Sequence, residues 1–322
     1  MKKTSLLMII SAVLVVVGIA TCFAGAVSGA SELLVITDRG LQITDEALQN
    51  DIVSLLDSVN IDSPFAEHEK DYIVQKTELN RSFNQIFVDV NNANVEFHFQ
   101  YDNKFICEYG YHKDKPIAVK DNGAILSIGQ ESDGTTDFNT SSDEVYVKIY
   151  IPKTYYIASL SCYTKSGDIT VFSNEFDAIE DLCLASYGGD IKIRYTKAQN
   201  VSIKNVAGDI AFEIFADKLS IENDVGKIFS ERYTANTAFF KNKSGETALK
   251  GHVNDMIVID SVSGHIDLVV EDQPENVSLE FKTTSGTCKT EESFEVMKGD
   301  CKIIVHTDLS NLNLAFEHGY IS

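Results

Sequence analysis

Three aspartates, Asp168, Asp190 and Asp209, each follow a glycine and recur at intervals of 22 and 19 residues. Carboxylates repeated along one edge would offer oxygens to calcium, which takes six to eight of them. Asp beside Gly also closes turns, because its side chain accepts hydrogen bonds from nearby backbone amides. Turn chemistry is the expected role and calcium the alternative, since Lys227, Glu246, His265 and Thr287 interrupt the row. Tyr163 and Tyr187 fall at outward positions of adjacent segments, with Tyr195 near the same end. Their rings could stack on sugars or hold a cationic group, which makes Tyr163 and Tyr187 a candidate ligand platform. The competing reading is that tyrosine is simply common in strands.

Other reactive side chains form no constellation. The seven histidines are scattered without metal-ligand spacing, and no C-x-x-C pattern suggests zinc. Cys162 and Cys288 stand where Leu, Ile or Phe recur and read as small core residues, whereas Cys183 points outward. The pairing of Cys107, Cys183 and Cys301 stays open. Carboxylates are abundant enough for glycoside cleavage, yet only Arg194 and Arg232 of four arginines lie within the repeats. No catalytic residue, cofactor or metal ligand is therefore assigned, and the expectation is a protein that is not an enzyme.

The elements that position these residues are set by a repeat. Gly167, Gly189, Gly208, Gly226, Gly245, Gly264 and Gly286 are separated by 22, 19, 18, 19, 19 and 22 residues. Seven residues before them stand Leu160, Leu182, Val201, Leu219, Ala238, Ile257 and Leu279; two after stand Ile169, Ile191, Ile210, Ile228, Thr247, Ile266 and Cys288. An eighth turn fits with Ser310 in the glycine place, as an atypical terminal repeat. Each repeat thus supplies a strand on either side of a glycine turn, with alternate residues inward. One repeat cannot bury its apolar face alone; stacked coils hydrogen-bond to one another and cover it.

Three residues before each glycine, at inward parity, stand Thr164, Ser186, Asn205, Asn223, Asn242, Ser261 and Thr283. A buried polar group without a partner costs about 1–3 kcal/mol, so this column predicts an internal polar ladder beside the turns. Like residues recurring every 19 or so positions suit parallel, in-register coils. The expected fold is all-β: a right-handed parallel β-solenoid of about 20-residue coils over residues 81–322.

The chain begins differently. Lys2 and Lys3 precede an uncharged, apolar stretch to Ala30, the pattern of an export signal or transmembrane anchor. An uncleaved anchor is expected; cleavage before Ser31 and lipid attachment at Cys22 are the alternatives. Residues 31–80 read as a polar linker carrying an amphipathic helix at about 44–59, with Leu48, Ile52, Leu55, Leu56 and Val59 on one face. The lysines stay inside, so the remainder leaves the cytoplasm. Without those two lysines the formal charge goes from −21 to −23. Such a surface repels nucleic acid and would attract divalent cations or cationic peptides.

The anchor-like start, FNQIFVDVNNANVEFHF, VYVKIYIPKTYYIASLSCYTKSGDITV and the recurring S-G-D-I turn together resemble the bacterial "putative adhesin" family of β-strand-repeat proteins. The likeness runs from about Arg81 to Phe316. It implies a surface-exposed β-helix and no catalytic residues. The turns depart from that pattern at Val225-Gly226-Lys227-Ile228 and Ser285-Gly286-Thr287-Cys288. The functional expectation is a non-catalytic binding or scaffold protein on the cell membrane, single-pass, or secreted if the signal is cleaved. Its ligand would be a surface glycan, matrix protein or cationic peptide. An envelope-stress or antimicrobial-peptide sensor is the alternative, and a carbohydrate-active β-helix enzyme the third reading. Oligomeric state is left open.

Overall fold

The computed structural model describes residues 34–37, 40–43, 72–130, 145–173, 178–273, 276–290 and 299–317. The expected membrane segment at 1–30 and the helix at 44–59 lie outside them. The chain divides into units at residues 1–69 and 70–322. Within the first, Leu34–Thr37 and Gly40–Ile43 pair as an antiparallel hairpin, Leu34 opposite Ile43. The second unit is all-β, with no α-helix among its described residues.

Its strands follow the period-two rule. In Asn94–Gln100, Val95, Phe97 and Phe99 are buried while Glu96 and His98 are half-exposed. Parallel pairing then brings like residues into register. Leu126, Ile86, Leu160, Leu182, Val201, Leu219, Ala238, Ile257, Ile303 and Leu279 form one unbroken column. On the other side of the turns, Val147, Val95, Ile169, Ile191, Ile210, Ile228, Thr247, Ile266, Leu312 and Cys288 form a second. Thr247 is tolerated in that apolar file because Asn242 Nδ2 donates to its hydroxyl at 3.2 Å.

The stacking order departs from chain order at both ends. The Ser310 coil, expected to be terminal, lies between the Gly264 coil and the Gly286 coil: Ile303 pairs with Ile257 on one side and Leu279 on the other. Burial explains the exchange. Ile303, Val305, Leu312 and Leu314 are fully enclosed, a gain realised only with a neighbour on each side. The Gly286 coil offers less, and Cys288, expected in the core, is exposed at this outer position.

At the opposite end the chain passes from the Gln85–Gln100 coil outward to a coil made by Ile125–Gln130 and Tyr146–Pro152. It then returns to stack the Gly167 coil against Gln85–Gln100. Here the pairing is no longer all parallel. Phe105–His112 and Tyr72–Leu79 add antiparallel strands, as does Ile117–Asn122. The sheet therefore takes in Tyr72–Leu79, upstream of the alternation that begins at Phe83.

The turn glycines stack directly. At Gly226, φ is 130° and a methyl group would overlap the carbonyl oxygen of Gly208 in the preceding coil. Both the dihedral and the contact require glycine there. The varying repeat length is absorbed at the other corner. Arg194 and Tyr195 together face Glu213 alone, a bulge in which Tyr195 takes φ 52°.

Candidate functional site

The acidic corner is built from side chains that cap amides. Asp168 Oδ1 accepts from the N–H of Asp190 at 2.8 Å, Asp190 Oδ1 from Asp209 at 2.9 Å, and Asp209 Oδ1 from Lys227 at 2.8 Å. Asn94 does the same for Asp168, and Asn311 for Thr287. Each side chain thus satisfies a backbone donor of the adjoining coil, a task that Asp and Asn share because both present a carbonyl-type oxygen at the same reach. No group of three or more His, Cys, Asp or Glu among the described residues is placed to hold a metal ion.

The inward polar column hands donors from coil to coil. Thr164 Oγ1 reaches the Ala93 carbonyl, Ser186 Oγ that of Gly167, and Asn205, Asn223 and Asn242 those of Gly189, Gly208 and Gly226, at 2.9–3.3 Å. Two turn forms follow from the residue type. Where the column holds a hydroxyl, the turn N–H bends inward to it, as Gly167 does to Thr164, Gly189 to Ser186 and Gly286 to Thr283. Beside the asparagines, Gly208, Gly226 and Gly245 take positive φ and donate to the next coil's backbone instead. At Gly264, also at positive φ, the Ser261 hydroxyl bonds that of Ser310 at 2.8 Å. Thr283 is half-buried, in keeping with its place on the outermost coil.

The outer faces carry the binding candidates. Tyr163 and Tyr187 are 39% and 59% exposed, in adjacent coils. Tyr163 pairs with Ala185, so Tyr187 sits two positions further toward the turn and the two rings are not side by side. On the other side Tyr163 pairs with Asp89, and Phe87, 48% exposed, pairs with Ser161, so these two rings are also two positions apart but border one groove. Phe87, Tyr163, Ser161, Cys183 and Lys204 line an apolar groove of about 260 Å³. Phe87 escaped the repeat reading because it precedes the first glycine turn. Its signal was an aromatic at an outward position of QIFVDV. On the other outer face His98 is stacked between Tyr150 and Phe172, with centroids 5.1 and 5.0 Å away, and bonds Glu96 at 2.7 Å.

All five described cysteines are free. Burial, with a smaller contribution from the charge of Glu108, pushes the Cys107 thiol up to about 12. Burial likewise raises Cys301 to about 11, and shifts Cys162 and Cys183 upward too. These groups are neutral thiols at pH 7, which disfavours nucleophilic or ligating roles.

Several solved structures are similar to this chain. A putative adhesin from Bacteroides fragilis superposes with a TM-score of 0.52 at 14% identity, covering 76% of this chain and 97% of that one. A putative adhesin from Parabacteroides merdae covers 77% and 96% at 11% identity, TM-score 0.42. A putative lipid binding protein from Parabacteroides distasonis covers 76% and 96% at 14% identity, TM-score 0.47. The first of these supports the fold. No curated protein matches the sequence. The Toastrack DUF4097 profile matches residues 83–308, the whole succession of coils from Phe83 to the Ser310 turn, and the chain belongs to that family.

Proposed function

We propose that this chain is a non-catalytic binding scaffold of the cell surface, a right-handed solenoid held at the membrane by its N-terminal segment. Its attachment surface is the groove between Phe87 and Tyr163. The observation that carries the reading is that two exposed rings on adjacent strands of a hydrogen-bonded sheet line one apolar groove. Exposed aromatics cost solubility, and a groove walled by two of them is suited to the apolar face of a sugar or to a peptide side chain. Because both rings sit on strands rather than loops, the surface is preorganised and loses little entropy when it binds. Lys204 at the rim pairs with Glu222 at 3.3 Å, which leaves the groove without a net local charge.

The test is attachment of cells lacking the protein, and of cells re-expressing it, to mucin- and matrix-coated surfaces. Loss on deletion and recovery with the full chain is expected, with recovery failing for a Phe87→Ser, Tyr163→Ser double variant. Equal attachment by the parent, the deletion strain and both re-expressing strains would sink the adhesive reading.

A further inference from the structure

Four loops meet at the antiparallel end of the second unit: the link before Phe83, the turn before Phe105, the hairpin around Gly123 and the segment holding Tyr155. Between them lies a cavity of about 590 Å³ lined by Asn80, Arg81, Ser82, Asn103, Lys104 and Tyr155, among others. That volume falls within the roughly 300–1,000 Å³ of small-molecule sites. Its aromatic wall is fixed from beneath. Tyr155 packs on Phe105 at 5.4 Å, and Phe105 meets Phe83 edge-on at 5.3 Å, both phenylalanines being fully buried.

The polar lining is rich in unspent donors. The side chains of Asn80, Ser82 and Asn103 make no hydrogen bond among the described residues. Arg81 is 3.7 Å from Asp121, a charge contact too long for a hydrogen bond, so its five N–H donors are available. Lys104 is held by Glu78 at 2.8 Å, and this partner raises its pKa. Two cations thus converge on one concavity of a protein whose net charge is −21. Each already faces a carboxylate, Glu78 for Lys104 and Asp121 for Arg81, so a ligand carboxylate would share them with these two exposed groups.

We propose that this cavity binds a carboxylated sugar. Arg81 and Lys104 take the carboxylate, the amides and Ser82 take ring hydroxyls, and the Tyr155 ring covers the apolar face of the sugar. A neutral sugar would leave the cations paired only with Glu78 and Asp121, whereas a bare inorganic anion would leave the aromatic wall and the amides unused. The site is separate from the Phe87–Tyr163 groove and stands or falls independently of it.

Saturation-transfer NMR on the full chain in detergent would use glucuronic, galacturonic and N-acetylneuraminic acids, each beside its neutral counterpart: glucose, galactose and the methyl ester. At least one acid is expected to bind about tenfold more tightly than its counterpart. An Arg81→Gln, Lys104→Gln double variant should lose about tenfold. These side chains are 65% and 55% exposed, so the variant retains the fold. Leu309→Ser, at an exposed residue outside both sites, should leave the signal unchanged, and the preference for acid over neutral sugar separates this site from the attachment surface. Equal binding of acid and neutral sugar, an unaltered double variant, or no signal from any acid at millimolar concentration would each overturn the proposal.

Discussion

Among the described residues Tyr233 is the largest fully buried side chain, and its hydroxyl finds no hydrogen-bond partner. The opposing residue is Gly251, where a methyl group would strike the tyrosine ring and backbone. The ring therefore fills space that a glycine vacates, and the hydroxyl is an uncompensated cost of about 1–3 kcal/mol. Tyr233→Phe is expected to raise stability by about 1 kcal/mol, and Tyr233→Ala to lower it by about 3–5 kcal/mol, both read from urea midpoints. Loss of stability in the phenylalanine variant would mean that the hydroxyl is satisfied by buried water. The turn column gives the opposite kind of test. Ala93 and Ser310 occupy the glycine place in their coils and carry a β-carbon, while Gly226 has both positive φ and a carbonyl directly beneath it. Gly226→Ala should cost about 1–3 kcal/mol from the dihedral alone, whereas Ala93→Gly should cost only about 1 kcal/mol.

At the scale of strands and coils, the exchanged order at the end of the stack has a consequence for truncation. Val277–Thr283 and Cys288–Thr290 pair only with strands of the Ser310 coil among the described residues. Removing residues 299–322 should therefore release two coils, not one. Hydrogen exchange is expected to show amides of Val277–Thr283 losing protection completely in the truncated chain, while those of Ile257–Ser261 stay protected. Retained protection at 277–283 would mean that this coil can rest directly on the Gly264 coil. The two arrangements also mark the limit of what was legible in sequence. Parallel in-register stacking makes like residues recur, so the columns through Leu182 and Ile191 and the polar file through Asn223 could be read from spacing alone. The order of the last two coils could not, because both fit the same template. The choice depends on which set, Ile303 and Leu312 or Leu279 and Cys288, gains more from a second neighbour. Phe87 went unremarked for a related reason: an outward aromatic acquires meaning only when strand pairing places it on the same groove as Tyr163. The Arg81 cavity is a convergence of four loops, which no periodicity encodes.

At the scale of the whole molecule, two electrostatic effects oppose each other. Surface ion pairs such as Lys227–Glu246 and Lys243–Asp224, at 2.6 and 2.7 Å, favour the folded state. They are largely exposed, and pairs of that kind contribute about 0–1 kcal/mol each. Against them stands the mutual repulsion of 48 acidic residues over 27 basic ones, which folding concentrates onto a smaller surface. Salt screens both, so the sign of the salt response reveals which is larger. The pairs are short contacts, already well inside a Debye length, whereas the repulsion acts between many carboxylates at separations comparable to the roughly 10 Å screening length at 0.1 M. Screening therefore removes more repulsion than attraction. Raising sodium chloride from about 0.01 M to about 0.15 M shortens that length from about 30 Å to about 8 Å, and the thermal midpoint is expected to rise by several degrees. A fall would show that the ion pairs outweigh the net charge. It would also weaken the case that the acidic surface is a general solubility feature, because its paired carboxylates would then belong to a stabilising network.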